Sequence, residues 1–213
     1  MKKDRSVPPD SGPMTKFINC FRKFRFFRKE SDEPSKQWLR VVMNDSVDQL
    51  IASMSTKEIS VFEVSGSRLK GAGFKSYKVG EYPEFDICSD TLDEQFDLII
   101  AEQVFEHLLY PHRAAKNIYK MLKPGGCFIV STPFLVRYHP QPNDCTRWTE
   151  TGLRYFLEDC GFPLGGIQTG SWGNRSCVIG NLFFWVSYKK LLHSLKNDPY
   201  YPVVVWGVAR RDQ

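Results

Sequence analysis

A Ser-Gly-Ser turn, several carboxylates at the ends of apolar runs and two histidines hold the chemistry this chain could perform. Glu63-Val64-Ser65-Gly66-Ser67 sets a carboxylate, a small residue and a glycine at the close of a β-rich stretch. Such a turn lets backbone approach a ligand closely, and the carboxylate can anchor an amine or the loop's own N–H groups. Glu81, Glu84 and Asp86 follow a second short stretch. A carboxylate at a strand end can accept hydrogen bonds from ribose hydroxyls or an adenine amine. Asp86 is the candidate for that role, and Glu84 reads as a solvated turn residue. Phe96–His107 (FDLIIAEQVFEH) then runs from an apolar core into Glu102-Gln103 and Glu106-His107. His107 has the intrinsic pKa of a general base, or it fixes its loop through backbone hydrogen bonds. His139 is the rival base, and Asp144 and Arg147 fit a pair that shapes its loop. Arg137, Tyr138, Trp148, Trp172 and Arg175 are candidates to line a pocket for an acceptor. The six cysteines include no C-x-x-C pair and no His/Cys cluster with zinc spacing, so metal independence is expected.

These residues need a frame. Trp38, Leu39, Val42, Met43, Val47, Leu50 and Ile51 follow helical spacing, which places a helix before the first strand. Strands are predicted at Glu58–Ser65, Ser76–Val79, Phe96–Ala101, Cys127–Ser131 and Val203–Val208. A helix around His112–Leu122 stops at Lys123-Pro124-Gly125-Gly126. Another runs from an N-cap at Thr149 through Asp159 and ends at Gly161. Strands alternating with helices imply a Rossmann-like, doubly wound α/β fold, with a mainly parallel sheet covered by helices on both faces. Only nine residues, Ser67–Lys75, separate the first turn from the next strand, and Gly71 and Gly73 disfavour a helix there. The first crossover is therefore shortened. Val178–Tyr188 (VIGNLFFWVSY) fits a core helix, an apolar acceptor pocket or an interfacial patch, with the core reading preferred.

At 213 residues with 42% hydrophobic content, the chain can bury a core as one domain. The expected division is a basic, aromatic tail or helix over 1–35 and a single domain over 36–213. The net charge of +5 is concentrated in residues 1–30, which hold nine Lys or Arg against three acidic residues. The nearly neutral remainder argues against a nucleic-acid partner. Phe17, Phe21 and Phe24 interleaved with Arg and Lys fit a helix packed on the domain, or peripheral contact with a membrane surface or with phosphate groups. Scattered thiols, no apolar leader and no run of membrane-spanning length imply a cytoplasmic protein.

Taken together, FDLII ending near Glu106-His107, the LKPGG run, Ser131-Thr132-Pro133, and His139-Pro140-x-Pro142-x-Asp144-x-x-Arg147-Trp148-Thr149 resemble the class I S-adenosylmethionine-dependent methyltransferases. The resemblance covers about 59–162. It implies that Glu63, Ser65 and Gly66 hold the methionine part of S-adenosylmethionine and that Asp86 meets the adenine amine. It also puts Glu81 at the ribose and the backbone of Glu102 and Gln103 at the pocket edge. Glu106 and His107 would stand at the rim, where a substrate proton is received. Departures from the family pattern are the Ser-Gly-Ser turn, which lacks glycines on both sides, and the short crossover. The function implied is methyl transfer to a small-molecule acceptor, with a sugar or glycolipid hydroxyl as the leading guess. A lipid-like or quinone acceptor and a non-catalytic scaffold are the alternatives. A nicotinamide enzyme is disfavoured, because no G-x-G-x-x-G turn opens a helix.

Overall fold

The computed structural model describes residues 36–213; the tail expected over 1–35, with its membrane-contact reading, lies outside them. A short turn at Trp38–Arg40 leads into helix α1 (Val41–Ala52). Strands β1 (Ser60–Val64), β2 (Ser76–Gly80) and β3 (Phe96–Glu102) follow. Helix α2 (Pro111–Met121), β4 (Leu122–Pro133), α3 (Glu150–Asp159), β5 (Ile167–Trp172), α4 (Arg175–Phe183) and β6 (Val204–Arg210) complete the order. The six strands form one sheet in the order β2-β1-β3-β4-β6-β5. The first four are parallel, whereas β6 and β5 run antiparallel to their neighbours.

The central strands are apolar on both faces because both are covered. Val61, Leu98, Ile100, Cys127 and Ile129 pack with Val47 and Ile51 of α1. Their alternates Phe62, Ile99, Ala101, Phe128 and Val130 pack with Ala114, Ala115 and Ile118 of α2 and Leu153, Phe156 and Leu157 of α3. That alternation is the two-residue period of a strand between two helical layers. The Thr149 side chain accepts from Gly152 N as the N-cap of α3, as its sequence implies. The LKPGG run differs from expectation: β4 begins directly after α2. Its pairing jumps from Phe96–Leu122 to Leu98–Cys127, so Lys123–Gly126 is taken up as a bulge.

Residues Ser65–Lys75 contain turns and no helix, as the short crossover requires. Strand β5 was not expected; it pairs antiparallel with β6 and forms one edge of the sheet. No helix among the described residues is long and apolar enough to cross a membrane.

Asp97 ties the starts of three strands together. Its Oδ2 accepts from Ser60 N at 2.8 Å, Ser60 Oγ at 2.7 Å and Lys123 Nζ at 2.7 Å. Burial pushes its pKa up, but these donors outweigh it and hold the carboxyl below the usual range. A depressed folded-state pKa contributes stability that is present above the unfolded carboxylate value of about 3.9 and lost as pH falls through the folded one. Asp97→Asn is therefore expected to lower the urea midpoint at pH 7 and to flatten its decline between pH 5 and pH 2.5. An unchanged acid limb would show that Asp97 contributes nothing to it.

Candidate active site

The carboxyl ends of β1, β2 and β3 open into a cavity of about 410 Å³. The chain leaves β1 for β2 on one side and then crosses over β1 to β3 on the other, and ligands of open parallel sheets sit where the winding reverses in this way. Ser65, Asp86 and Gln103 contribute polar groups, and Phe85, Ile87, Val104 and Leu108 contribute apolar walls. The backbone at the strand ends is unusual: Ser65 has φ +50°, Gly66 +149° and Gln103 +56°. Asp86 sits in a self-braced turn, its Oδ1 accepting from Cys88 N at 2.9 Å while its own N–H donates to Asp90 Oδ2 at 2.7 Å.

Beneath this cavity the short crossover is held by charge. Glu63 is buried; its Oε1 accepts from Arg68 N at 3.3 Å and its Oε2 accepts from the Tyr77 hydroxyl. A Cβ at Gly66 would lie 2.8 Å from Glu63 Oε1, so only glycine lets the turn pass this close. Arg68 forks onto Glu102, with Nε 2.8 Å from Oε2 and Nη2 2.6 Å from Oε1, and its Nη1 reaches Asp48 of α1 at 2.5 Å. Glu63 and Glu102 therefore brace the loop with their carboxylates. Glu81 is exposed, and Tyr82 rather than Glu81 forms the cavity wall there.

A second, smaller cavity of about 180 Å³ adjoins the first and shares Gln103 and His107 with it. Gln37, Arg40, Glu106, His139 and Trp185 are among its other walls. Glu106 and His107 occupy a short helical turn after β3. Glu106 is only 1% exposed, and its Oε2 has no hydrogen-bond partner among the described residues. Burial pushes its carboxyl pKa up to about 7. His107 Nδ1 meets the Asn143 carbonyl, and His139 Nδ1 lies 3.3 Å from the Arg137 carbonyl. The two imidazoles cross edge to face at 5.2 Å. Burial lowers the His139 pKa. Asp144 and Arg147 pair through both oxygens, and Asp144 Oδ2 also accepts from His139 N at 2.9 Å. That pair positions the histidine loop.

The five residues expected around an acceptor do not converge. Trp148 and Trp172 differ most from expectation: both are buried in core clusters, Trp172 donating to the Leu195 carbonyl. An indole that satisfies its N–H internally packs as core. Arg175 stacks on Tyr201 beside a separate surface cavity, and Tyr138 is 71% exposed. Arg137 donates to the Phe183 carbonyl at 2.6 Å and lies over the Trp185 ring, behind the small cavity. Val178–Tyr188 is divided: α4 buries Cys177 and Asn181 but exposes Leu182, and Trp185 reaches the cavity wall. Sequence reasoning missed Arg40 and Arg68. The only signals were a cation beside the apolar stripe of α1 and the one arginine within the short crossover.

A family profile described as "Methyltransferase domain" matches residues 8–159. A protein of Mycolicibacterium smegmatis, named a probable S-adenosylmethionine-dependent methyltransferase, is 30% identical over 95 residues. That match spans 39% of this chain and 37% of the relative's length. Among solved structures, a SAM-dependent methyltransferase from Archaeoglobus fulgidus superimposes with a TM-score of 0.52 at 12% identity, over 94% of this chain and 100% of its own. A phosphoethanolamine N-methyltransferase 2 of Haemonchus contortus, bound to phosphomonomethylethanolamine and S-adenosylhomocysteine, gives 0.55 at 12% identity, over 81% of this chain and 53% of its own.

Proposed function

The chain belongs to the class I S-adenosylmethionine-dependent methyltransferases, and from that premise we propose that it transfers a methyl group to a hydroxyl of a small molecule, a sugar or glycolipid being the leading class. The observation that carries this reading is the pair of adjoining cavities with His107 and Gln103 in both linings. Donor and acceptor could lie in contact there with water excluded, which is most of what an in-line displacement needs from a protein.

The larger cavity suits the cofactor. Its volume falls within the usual range of about 300–1,000 Å³ for ligand sites. Ser65, next to the bare Gly66 turn, lines it, Asp86 offers a carboxylate, and apolar side chains offer faces for a purine. In this reading Ser65 and Gly66 hold the methionine end, Asp86 the adenine amine, and the Gln103 backbone edges the site. When bound, S-adenosylmethionine supplies the electrophilic methyl group. The smaller cavity takes the acceptor hydroxyl. Gln37, Arg40 and Glu106 present hydrogen-bonding groups and Trp185 a flat apolar face, a combination that suits a polyol. With Nδ1 of each ring turned to a backbone carbonyl, the Nε2 of His139 or His107 receives the hydroxyl proton.

Calorimetric titration with S-adenosylhomocysteine tests the donor site. Micromolar affinity is expected, and Asp86→Ala should weaken it by about 10- to 100-fold, as expected for loss of a hydrogen bond to a charged group. No binding at millimolar ligand would overturn the reading. Binding that Asp86→Ala leaves intact would remove Asp86 from the site. Labelled-methyl screening of sugars, glycolipids and quinones then identifies the acceptor class.

A further inference from the structure

We propose that Glu106, His107 and His139 form a binding site for a divalent transition-metal cation beside the acceptor cavity. The chain carries no local metal motif, yet the fold brings one ligand atom from each of these residues within 4.8 Å of the others. Nε2 of His107 already lies 3.6 Å from Glu106 Oε1. Metal–ligand bonds of about 2.1 Å require ligands about 3–3.5 Å apart, so closure asks for about 1.5 Å of side-chain movement.

Two further observations point to a ligand. Glu106 Oε2 is a buried carboxylate oxygen without a hydrogen-bond partner among the described residues, and Glu106 lines the cavity. Such an atom costs free energy unless something fills its coordination. His107 directs Nδ1 at the Asn143 carbonyl, which leaves its Nε2 lone pair available. His139 Nδ1 lies 3.3 Å from the Arg137 carbonyl and 3.4 Å from Arg147 Nη2, and in the tautomer that donates to the carbonyl its Nε2 lone pair is available too. That second contact is how metal-ligating histidines are oriented. Two imidazoles and one carboxylate favour Mn²⁺, Fe²⁺ or Zn²⁺ over Mg²⁺ or Ca²⁺, and three protein ligands leave coordination positions open. Arg40 lines the same cavity, and its charge balances Glu106 when no cation is present.

The inference rests on the methyl-transfer reading only for its consequence. With a cation bound, both Nε2 atoms serve as ligands and an acceptor hydroxyl takes an open position. Coordination lowers the hydroxyl pKa, and its proton passes to water at the cavity mouth. The acceptors so favoured are hydroxyl compounds rather than amines that are protonated at neutral pH.

The test uses metal-stripped protein titrated with Mn²⁺, read by loss of the free-ion electron paramagnetic resonance signal. Mn²⁺ is preferred because the free cysteines, such as the exposed Cys145, compete for softer ions. One ion per chain is expected, with affinity at least tenfold weaker in both His139→Ala and Glu106→Gln. S-adenosylhomocysteine titration of the same samples reports on folding and the donor site separately. No Mn²⁺ binding at one equivalent per chain up to about millimolar ion, or binding unchanged in both variants, overturns the cation site. Mn²⁺ binding that depends on these residues, without S-adenosylhomocysteine binding, supports the cation site and overturns methyl transfer instead.

Discussion

Gly66→Val is expected to lower affinity for S-adenosylhomocysteine by about 100-fold or more, the largest single effect foreseen at the donor site. Gly66 has φ +149°, a conformation that a β-branched residue adopts only under strain of about 1–3 kcal/mol. Its Cβ would stand 2.8 Å from Glu63 Oε1. Glu63 cannot easily yield, because it is buried and already accepts from Arg68 N and the Tyr77 hydroxyl. The turn must therefore shift, and Ser65 at the cavity wall shifts with it. A loss of about 2.7 kcal/mol in binding corresponds to the 100-fold effect. Titration beside a thermal melt separates lost binding from lost folding. A valine variant that binds normally would show that this turn does not touch the ligand.

Arg68→Met is expected to destabilise the protein by about 2–3 kcal/mol and to weaken cofactor binding as the crossover loosens. Breaking a buried ion pair by removing one partner costs about 3–5 kcal/mol, and the partial exposure of this guanidinium reduces that. Its partner Glu102 keeps only 8% of its side-chain surface exposed and would be left without its bidentate cation. The link to Asp48, itself 54% exposed, contributes less. The double variant Arg68→Met/Glu102→Leu should recover much of the stability, since apolar replacement of both members removes the uncompensated charge. Urea unfolding of the single and double variants measures this. Additive losses would show that the pair is not coupled.

Both predictions concern the crossover, and its legibility was uneven. Its brevity could be read directly, because nine residues with Gly71 and Gly73 cannot make a packed helix. What replaces the helix could not. The partners of Arg68 are Asp48, twenty positions upstream, and Glu102, thirty-four downstream, and nothing local marks them. Strand β5 was missed for a related reason. Ile167–Trp172 alternates weakly and carries Gln168, Thr169 and Ser171, so its pairing with β6 and packing against α3 decide its state.

By itself the sequence determined the layered α/β frame and the family. Those rest on interactions within a few residues: continuous apolar runs at Phe96–Ala101 and Cys127–Ser131, the cap at Thr149, and turns after each strand. Tertiary structure alone decided which indoles are core and which line a cavity, because Trp148, Trp172 and Trp185 present the same chemistry in the chain. It also decided that His139 returns to Glu106 and His107. That meeting depends on β3 and β4 lying side by side in parallel and on Asp144–Arg147 folding the loop back, contacts set by sheet order rather than by spacing along the chain.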